Sequence, residues 1–417
     1  MQRIEQAARE AKTASRTLAA LDTRTKNAVL IGVAAAIAAR TGEVLAANRE
    51  DVRTAEADGV GGPKLDRLGL TEAKLADMVS GIRQIVAMDD PVGRVSRSWT
   101  TAEGLDVAKV RTPLGVIAMI YEARPGVTVD AFVLCFKAGN ACVLKGGREA
   151  ARTNACLCEI VRTVLRGHGV PEAAMTAVTT SNRDELGHML TLTGSIDLVI
   201  PRGGAGLIGF VAERSRVPTV QHFHGVCHCY VDSQADLDRA IEIVMNGKTS
   251  MPAACNALEC VLVHRDVAAE FVPALAERCA RAGVEIRGDE RFGAHAGDAS
   301  GIVRAGEDDF GTEFLDLVLA AKVVDSLGDA MQHIARHASD HTETIVTEDA
   351  ETAERFLREV TSSCVLVNAS TRFNDGFSLG LGAEIGISTS KVHAYGPMGL
   401  EELTAERYVV RGRGQVR

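Results

Sequence analysis

The sequence of 417 residues is 46% hydrophobic and 24% charged, which at roughly 150 residues per domain predicts two or three domains with ample apolar cores. Asp and Glu number 55 against 46 Lys and Arg, and the resulting formal charge of −9 disfavours nucleic acid or an anionic membrane as a general partner. Aromatic residues make up 4% with a single Trp, which also disfavours a base-stacking surface.

No segment of the sequence has the features of a membrane span or a signal peptide. The longest apolar run, residues 28–39, is too short to cross a bilayer, and residues 1–5 carry charges where a signal peptide needs an apolar core. The ten cysteines form no repeated Cys-x-x-Cys framework, and a reducing cytoplasm keeps such residues as thiols. We therefore expect a cytoplasmic globular protein without a membrane partner.

The first hundred residues are predicted to be mainly helical. Apolar residues recur at a spacing near 3.6 over four stretches, which are 2–20, 23–41, 43–57 and 71–87. Residues 94–111 instead alternate between polar and apolar and predict a β-hairpin. Glu103 and Gly104 provide its turn.

From residue 112 onward, predicted strands alternate with predicted helices. In the first α/β region we expect strands at 115–121, 140–145, 174–179, 196–200, 217–221 and 226–231, and helices at 127–137, 149–167, 183–192 and 205–215. A second α/β region begins near Ser233, and residues 283–312 are expected to be rich in loops. This alternation is typical of βαβ units, whose parallel sheets bind ligands at the carboxyl ends of their strands.

Cys255 is the first candidate for a catalytic residue. It follows a predicted helix, Pro252 and two alanines, and it precedes an apolar strand. A thiol on such a loop can be exposed, and a nearby helix N-terminus would lower its pKa and favour the nucleophilic thiolate. The alternative is a buried structural thiol, as we expect for Cys260.

A glycine motif follows the predicted strand at 196–200. After Arg202 and Gly203, the residues Gly204, Gly206 and Gly209 form Gly-x-Gly-x-x-Gly at the start of a predicted helix. That context suits the phosphates of a dinucleotide bound at a helix N-terminus. The acidic residue expected about 20 positions later is missing, so a tight turn without a ligand remains the alternative.

Basic residues follow two other predicted strands. Lys145, Gly146, Gly147 and Arg148 combine two cations with flexible backbone, which suits a phosphate; the alternative is a solvated turn. Arg124 follows the strand at 115–121, where it could receive an anionic substrate or pair with the neighbouring Glu122.

The histidines and cysteines of residues 221–229 do not predict a metal site. On a strand, His222, His224 and His228 share one face, whereas Cys227 and Cys229 share the other. Their spacing matches no standard structural zinc pattern. We therefore predict no metal.

Taken in order, these features resemble one family. The chain resembles the γ-glutamyl phosphate reductases, also called glutamate-5-semialdehyde dehydrogenases, of the aldehyde dehydrogenase superfamily, from about residue 5 to the end. The segments that carry the resemblance include Ile120–Pro125, Lys137–Asn140, Ile200–Gly204, Cys255–Ala257, Asn368–Phe373 and Leu381–Ser388.

The resemblance implies the reduction of γ-glutamyl phosphate by NADPH to glutamate 5-semialdehyde and phosphate, the second step of proline biosynthesis. Cys255 matches the family's nucleophile, which forms a thioester. Arg124 matches the oxyanion-stabilising position, and Asn256 joins the catalytic set. The residues expected to bind NADP are Lys145, Gly146, Gly147, Arg202, Gly203, Gly204 and Glu313; Lys145 favours a 2′-phosphate, and Glu313 matches a carboxylate at the nicotinamide ribose.

The resemblance also implies the architecture, an α/β fold with two Rossmann-like domains and a small β oligomerisation flap. We expect residues 1–93 and 112–232 to form the NADP-binding domain and residues 233–367 the catalytic domain carrying Cys255. Residues 94–111 and 368–417 would form the flap and tail. A homo-oligomer is implied, with γ-glutamyl kinase as a further partner.

Six positions depart from the family pattern. Lys145 replaces a common Arg and keeps its charge, and Arg148 replaces a usual small polar residue. Gly126 stands where Asn is common, His224 where Asp precedes the glycine, and Ser250 and Met251 where Gln-Arg precedes the proline. Two alternatives stay open at this stage. One is the same chemistry on a related acyl phosphate or aldehyde, and the other is a non-catalytic homologue that binds γ-glutamyl kinase.

Overall fold

The computed structural model describes residues 1–60, 63–122, 124–178, 182–220, 224–297 and 302–417. The chain divides into two compact units. The first unit comprises Met1–Gln221, Leu381–Gly386 and Met398–Arg417. The second unit comprises His222–Gly380 and Ile387–Pro397.

Helices and strands alternate through most of the chain. The helices are α1 Gln2–Leu18, α2 Thr23–Ala39, α3 Thr41–Ala57, α4 Pro63–Leu68, α5 Glu72–Ala87, α6 Gly126–Lys137, α7 Ala151–Gly167, α8 Arg183–Met189, α9 Ala205–Arg214, α10 Leu237–Thr249, α11 Arg265–Arg281, α12 Glu290–Ala296, α13 Leu327–His337 and α14 Ala350–Glu359. The strands are β1 Val95–Thr100, β2 Asp106–Pro113, β3 Val116–Tyr121, β4 Ala141–Lys145, β5 Met175–Ala177, β6 Leu198–Arg202, β7 Cys227–Val231, β8 Leu258–His264, β9 Glu285–Gly288, β10 Ile302–Arg304, β11 Val318–Val324, β12 Thr342–Val346, β13 Cys364–Val367, β14 Ile387–Ser388, β15 Gly396–Pro397 and β16 Thr404–Arg411.

Side-chain caps fix the starts of two amino-terminal helices. Asp22 accepts a hydrogen bond from the Thr25 N–H at the start of α2, and Thr71 accepts one from the Lys74 N–H at the start of α5. Within the described ranges, no single helix is long and apolar enough to cross a membrane. The pair α2 and α3 reaches that length and composition only together, across a bend of 68°.

The first unit contains a parallel sheet in the order β5-β4-β3-β6. Every residue of β3 is buried, as its uninterrupted apolar sequence predicts for a strand covered on both faces. In the register of the sheet, Ile120 of β3 pairs with Lys145 of β4, and Tyr121 pairs with Arg202 of β6. The carboxyl ends of three neighbouring strands therefore bring Lys145 and Arg202 to the same edge.

The second unit contains a seven-stranded parallel sheet in the order β10-β9-β11-β8-β7-β12-β13. Side chains of its central strand β8 pack on both faces of the sheet, because successive side chains of a strand point in opposite directions. Val261 and Val263 pack in the core on one face, and Cys260 and Leu262 pack in the core on the other. The predicted α/β fold with parallel sheets is confirmed.

Three details differ from the expectations. The strand Cys227–Val231, expected in the first α/β region, pairs with β8 and β12 of the second unit, so the expected limit at residue 232 lies one strand too late. Residues 283–312, expected to be loop-rich, contain β9, α12 and β10. Of residues 217–221, expected to form a strand, the described part, 217–220, forms only an isolated bridge between Thr219 and Val199, since Pro218 has no N–H for a ladder.

The predicted hairpin at 94–111 is present and is extended by the last strand. β1 pairs antiparallel with β2, and β16 pairs antiparallel with the other side of β2. Gly104 adopts a left-handed φ of +78° in the connecting turn, a conformation that glycine adopts without strain. Arg111 of β2 donates hydrogen bonds to Glu401, in the loop before β16, and to Thr404, the first residue of β16.

Candidate active site

Cys255 lies on a short irregular segment of the second unit, between the end of α10 and the start of β8. Two successive turns shape the segment: the Ala254 N–H donates to the Met251 carbonyl, and the Ala257 N–H donates to the Ala254 carbonyl. The side chain is partly exposed, as predicted for a nucleophile on a loop. The adjoining helix α10 presents its carboxyl end here, so it does not supply the helix N-terminus that would favour a thiolate.

Most of the other cysteines are poorer nucleophiles than an exposed thiol because they are buried. Seven of them are buried, and burial raises the pKa of the thiols of Cys135, Cys158 and Cys279 to about 12. A buried thiol of this kind stays protonated near neutral pH and is a poor nucleophile. Partial exposure therefore separates Cys255 from the buried thiols, including its neighbour Cys260.

Gly225 packs directly against the backbone of Cys255. A Cβ built on Gly225 would overlap the Cys255 carbonyl oxygen and would lie 3.1 Å from the Cys255 Cα. The Gly225 N–H donates to Oε1 of Glu313 at 2.9 Å, and the Cys227 Sγ lies 3.4 Å from the Cys255 carbonyl oxygen. The fold thus brings together Cys255 and Glu313, which are 58 positions apart in the sequence.

A buried ion pair that sequence reasoning missed supports this arrangement. Lys248 of α10 and Glu259 of β8 are each 1% exposed, and their Nζ and Oε2 atoms are 2.7 Å apart. Burial raises the pKa of Glu259 to about 7, although Lys248 acts in the opposite direction. Burial also raises the pKa of Glu313, against the lowering effects of the Gly225 N–H and of Lys248. A single buried cation therefore influences two carboxylates near the nucleophile segment.

Asn256 has a structural contact that its sequence position does not reveal. Its buried amide donates to the backbone carbonyls of Arg372, at 3.4 Å, and Asn374, at 2.9 Å. These bonds hold the 372–374 segment beside the nucleophile segment. The buried Oδ1 of Asn256 has no hydrogen-bond partner among the described residues, so it offers an acceptor.

The glycine motif of the first unit has the predicted strand–turn–helix context. Gly204 precedes the first turn of α9, and its N–H donates to the carboxylate of Glu122 at 3.2 Å. A Cβ on Gly203 would lie 2.6 Å from a Glu122 oxygen and 2.7 Å from the Leu207 Cδ2, so a larger residue there would displace the ends of these two side chains. The backbone at the start of this helix already holds one anion, as expected at a helix N-terminus.

Lys145 is the last residue of the neighbouring strand β4, and Gly146 and Gly147 follow it. Lys145 is partly exposed, whereas a Cβ on Gly146 would overlap the Asn154 amide and lie 3.2 Å from a ring carbon of Tyr121. Glycine here allows the backbone to turn close beside β3. The structure thus brings the predicted phosphate-binding residues of β4 and β6 to one edge of one sheet.

The remaining predicted positions are mostly at the surface. Arg124 is exposed just after β3, and Gly126 is the first residue of α6. His224 is exposed beside Gly225, and Met251 is 55% exposed. His222, considered as a metal ligand from the sequence, lies outside the described residues.

The comparisons with known proteins agree with this fold. The aldehyde dehydrogenase family model matches residues 1–299. A γ-glutamyl phosphate reductase of Sorangium cellulosum is 53% identical and covers 98% of this chain and 96% of its own length; one of Xanthomonas axonopodis pv. citri is 48% identical, with 99% of each chain covered. The crystal structure of γ-glutamyl phosphate reductase from Thermotoga maritima has a TM-score of 0.97 at 40% identity, with 99% of each chain covered.

The fold and the family model define an aldehyde dehydrogenase, a family whose enzymes use NAD or NADP. The similarity to these relatives extends over nearly the whole chain. The chain therefore belongs to the aldehyde dehydrogenase family and, within it, to the γ-glutamyl phosphate reductases.

Proposed function

We propose that this chain reduces L-glutamyl 5-phosphate to glutamate 5-semialdehyde with NADPH and releases phosphate, in the second step of proline biosynthesis. The observation that carries the proposal is Cys255, a partly exposed thiol whose backbone packs against Gly225. Relatives that match the chain along its full length at 48% to 53% identity carry the name of this activity.

Cys255 performs covalent catalysis in this proposal. Its thiolate attacks the acyl carbon, a carbon–sulfur bond forms, and the carbon–oxygen bond to phosphate breaks with loss of inorganic phosphate. Bound NADPH supplies the hydride that reduces the thioester. The resulting thiohemiacetal anion on Cys255 then collapses without a further redox change. Its carbon–sulfur bond breaks, the aldehyde leaves, and the Cys255 thiolate is restored.

Arg124 and Asn256 assist at the acyl group. A guanidinium at Arg124 offers donors that stabilise the oxyanion or the departing phosphate. Asn256 acts by positioning, since its amide already holds the backbone at Arg372 and Asn374.

The described residues fit a dinucleotide at the strand ends of the first unit. The Gly204 N–H donates to a carboxylate at the start of α9, which supports an anion-binding role for Arg202, Gly203 and Gly204. Lys145 supplies a cation for a 2′-phosphate beside Gly146 and Gly147, which favours NADP over NAD. Glu313 supplies a carboxylate for the nicotinamide ribose, because its Oε2 is not used by the Gly225 N–H.

The proposal extends to domains, partners and location. We assign dinucleotide binding to residues 1–93 and 112–221 and catalysis to the second unit with Cys255. The β1-β2-β16 sheet serves as the oligomerisation flap of a homo-oligomer. A γ-glutamyl kinase supplies the acyl phosphate, and the cytoplasm keeps the ten cysteines reduced.

The test is the reverse reaction on purified full-length protein. Glutamate 5-semialdehyde, phosphate and NADP are mixed, and the absorbance of NADPH is followed. We expect phosphate-dependent reduction of NADP that Cys255→Ala abolishes and Cys156→Ala preserves, because Cys156 is a partly exposed thiol of the first unit.

Two results would contradict the proposal in different ways. A folded protein that binds NADPH but gives no signal would favour a related acyl phosphate or aldehyde, with His224, Ser250 and Met251 as the positions to examine. A folded protein that neither binds NADPH nor reacts would favour a non-catalytic partner of γ-glutamyl kinase.

A further inference from the structure

A cluster of metal-binding side chains lies inside the second unit, apart from the nucleophile. His228 of β7, Cys260 of β8 and His333 of α13 are all buried, and their ligand atoms lie within 4.8 Å of one another. The Cys260 Sγ and the His333 Nε2 are 3.9 Å apart. Two neighbouring strands and one helix on the same face of the sheet therefore converge on one point.

His228 has surroundings that suit a metal-binding histidine. Its ring is fully buried, and its Nε2 has no hydrogen-bond partner among the described residues. Its Nδ1 lies 3.2 Å from Oε2 of Glu343, within ion-pair distance although off the line of a hydrogen bond. An orphaned buried nitrogen costs free energy, whereas a histidine that ligates a metal through one nitrogen commonly directs the other to a carboxylate.

Glu343 is itself held in place. Its Oε2 accepts the His228 backbone N–H at 2.8 Å, and its Oε1 accepts the Ser362 hydroxyl at 3.2 Å. The carboxylate therefore has little freedom to move away from His228. It provides the fixed outer partner that orients a metal-binding imidazole.

One member of the cluster, His333, adjoins a surface cavity. His333 and His337 line this cavity of about 350 Å³, together with Asp325, Asp329 and Glu307. Arg291, Lys322 and Arg336 line the same cavity, where Arg291 pairs with Asp325 and Arg336 pairs with Glu307.

We propose that His228, Cys260 and His333 bind one Zn²⁺ ion, with Glu343 orienting His228. Thiolate and imidazole are the ligands that Zn²⁺ prefers. Metal–ligand bonds of about 2.0 to 2.3 Å place tetrahedral ligands roughly 3.5 Å apart, so the three side chains must close by about 1 Å. The ion fastens α13 to β7 and β8, the two strands that adjoin Gly225 and Cys255.

Cobalt binding to the untagged full-length chain tests the proposal. After treatment with a chelator, the protein is titrated with Co²⁺ and then with Zn²⁺. We expect one Co²⁺ per chain with a thiolate-to-cobalt charge-transfer band, which Zn²⁺ displaces. Cys260→Ala removes the band, and Glu343→Gln weakens Zn²⁺ binding by about 10- to 100-fold.

Three controls locate the metal. Cys229→Ala removes a buried thiol of β7 that packs in the core on the other face of the sheet, and it should keep the band. Cys255→Ala should also keep the band, because the nucleophile is not a ligand. His333→Gln should lose Zn²⁺ affinity, and it replaces Cys260→Ala if that variant does not fold.

Two outcomes would overturn the proposal. The first is a wild-type chain that folds but shows no charge-transfer band with Co²⁺. The second is a band that persists in Cys260→Ala or disappears in Cys255→Ala, which assigns the metal to another thiol. Both outcomes are independent of reductase activity, so they leave the proposed function untouched.

Discussion

Gly225 leaves no space for a side chain where it meets the nucleophile segment. Its N–H is committed to Glu313 and its Cα faces the Cys255 backbone. In Gly225→Ala the new methyl group must push the Cys255 carbonyl away or break the bond to Glu313. Because a displacement of about 1 Å at a catalytic group can cost about 100-fold in rate, we expect a loss in kcat of that order, measured in the NADP-linked assay.

A glycine within a helix provides the control. It distinguishes the local effect at Gly225 from a general effect of replacing glycine by alanine. Gly42 lies in α3, and a Cβ there meets nothing within 4 Å. Gly42→Ala should keep full activity and add about 0.5 to 1 kcal/mol of stability, since alanine is the better helix former. Equal kcat values in Gly225→Ala and Gly42→Ala would show that the close approach to Cys255 does not matter.

The Lys248–Glu259 pair makes a prediction about stability. Glu259→Gln removes the carboxylate that lies 2.7 Å from the buried Lys248, and breaking a buried ion pair costs about 3 to 5 kcal/mol. We expect a loss in that range in the free energy of unfolding, measured with urea. The double variant Lys248→Met, Glu259→Leu should be closer to wild type, because both buried charges are gone. A double variant as unstable as Glu259→Gln would contradict this account.

At the scale of elements, one buried lysine joins three segments of the first unit. Lys26 of α2 lies 2.8 Å from Oδ2 of Asp90, in the turn after α5, and donates to the carbonyl of Lys137 at the end of α6 at 3.2 Å. Lys26→Met leaves Asp90 without its cation and the Lys137 carbonyl without its donor. We expect a loss of about 3 to 5 kcal/mol in the free energy of unfolding.

A partly exposed ion pair in the same unit provides the comparison. Lys12 and Asp197 lie 2.6 Å apart, with side chains 33% and 27% exposed. Lys12→Met should cost at most about 1 kcal/mol, because solvent screens such pairs. If Lys26→Met and Lys12→Met unfold at the same urea concentration, burial does not set the contribution of Lys26.

The elements that sequence predicts well are those whose pattern is local. The apolar run of β3 and the helical spacing of α2 are visible in consecutive residues, and the structure has both. The short strands β9 and β10 span only four and three residues, so no alternation can develop. The unit to which β7 belongs depends on its pairing with β8 and β12, which no local pattern encodes.

The same distinction between local patterns and long-range contacts explains which parts of the candidate site the sequence predicts. Cys255 is recognisable because its segment carries small residues and matches a family motif. Its contact with Gly225, and the bond from Gly225 to Glu313, join three distant segments and follow only from the fold. Lys248 and Glu259 were missed because a charged residue in an apolar stretch shows its partner only after folding.

At the scale of the whole molecule, the β1-β2-β16 sheet leaves apolar side chains exposed. Trp99 pairs across the sheet with Val107, which pairs with Val410, so the three share one face. Tyr408 lies two residues from Val410 on that face, and its ring centroid is 6.2 Å from that of Trp99. The outer strands β1 and β16 also have unpaired edges among the described residues. Such edges and faces are suited to burial by a second copy of the chain.

Val410→Glu tests whether this sheet holds the proposed homo-oligomer together. Val410 is 52% exposed, so the charge is tolerated in the single chain but is costly in an interface. We expect the molar mass from light scattering to fall to 44.2 kDa, with an unchanged circular dichroism spectrum. Val409→Glu places the same charge on the opposite face of the strand and should keep the oligomer. An oligomer that survives Val410→Glu but dissociates in Val409→Glu would move the interface to the other face of the sheet.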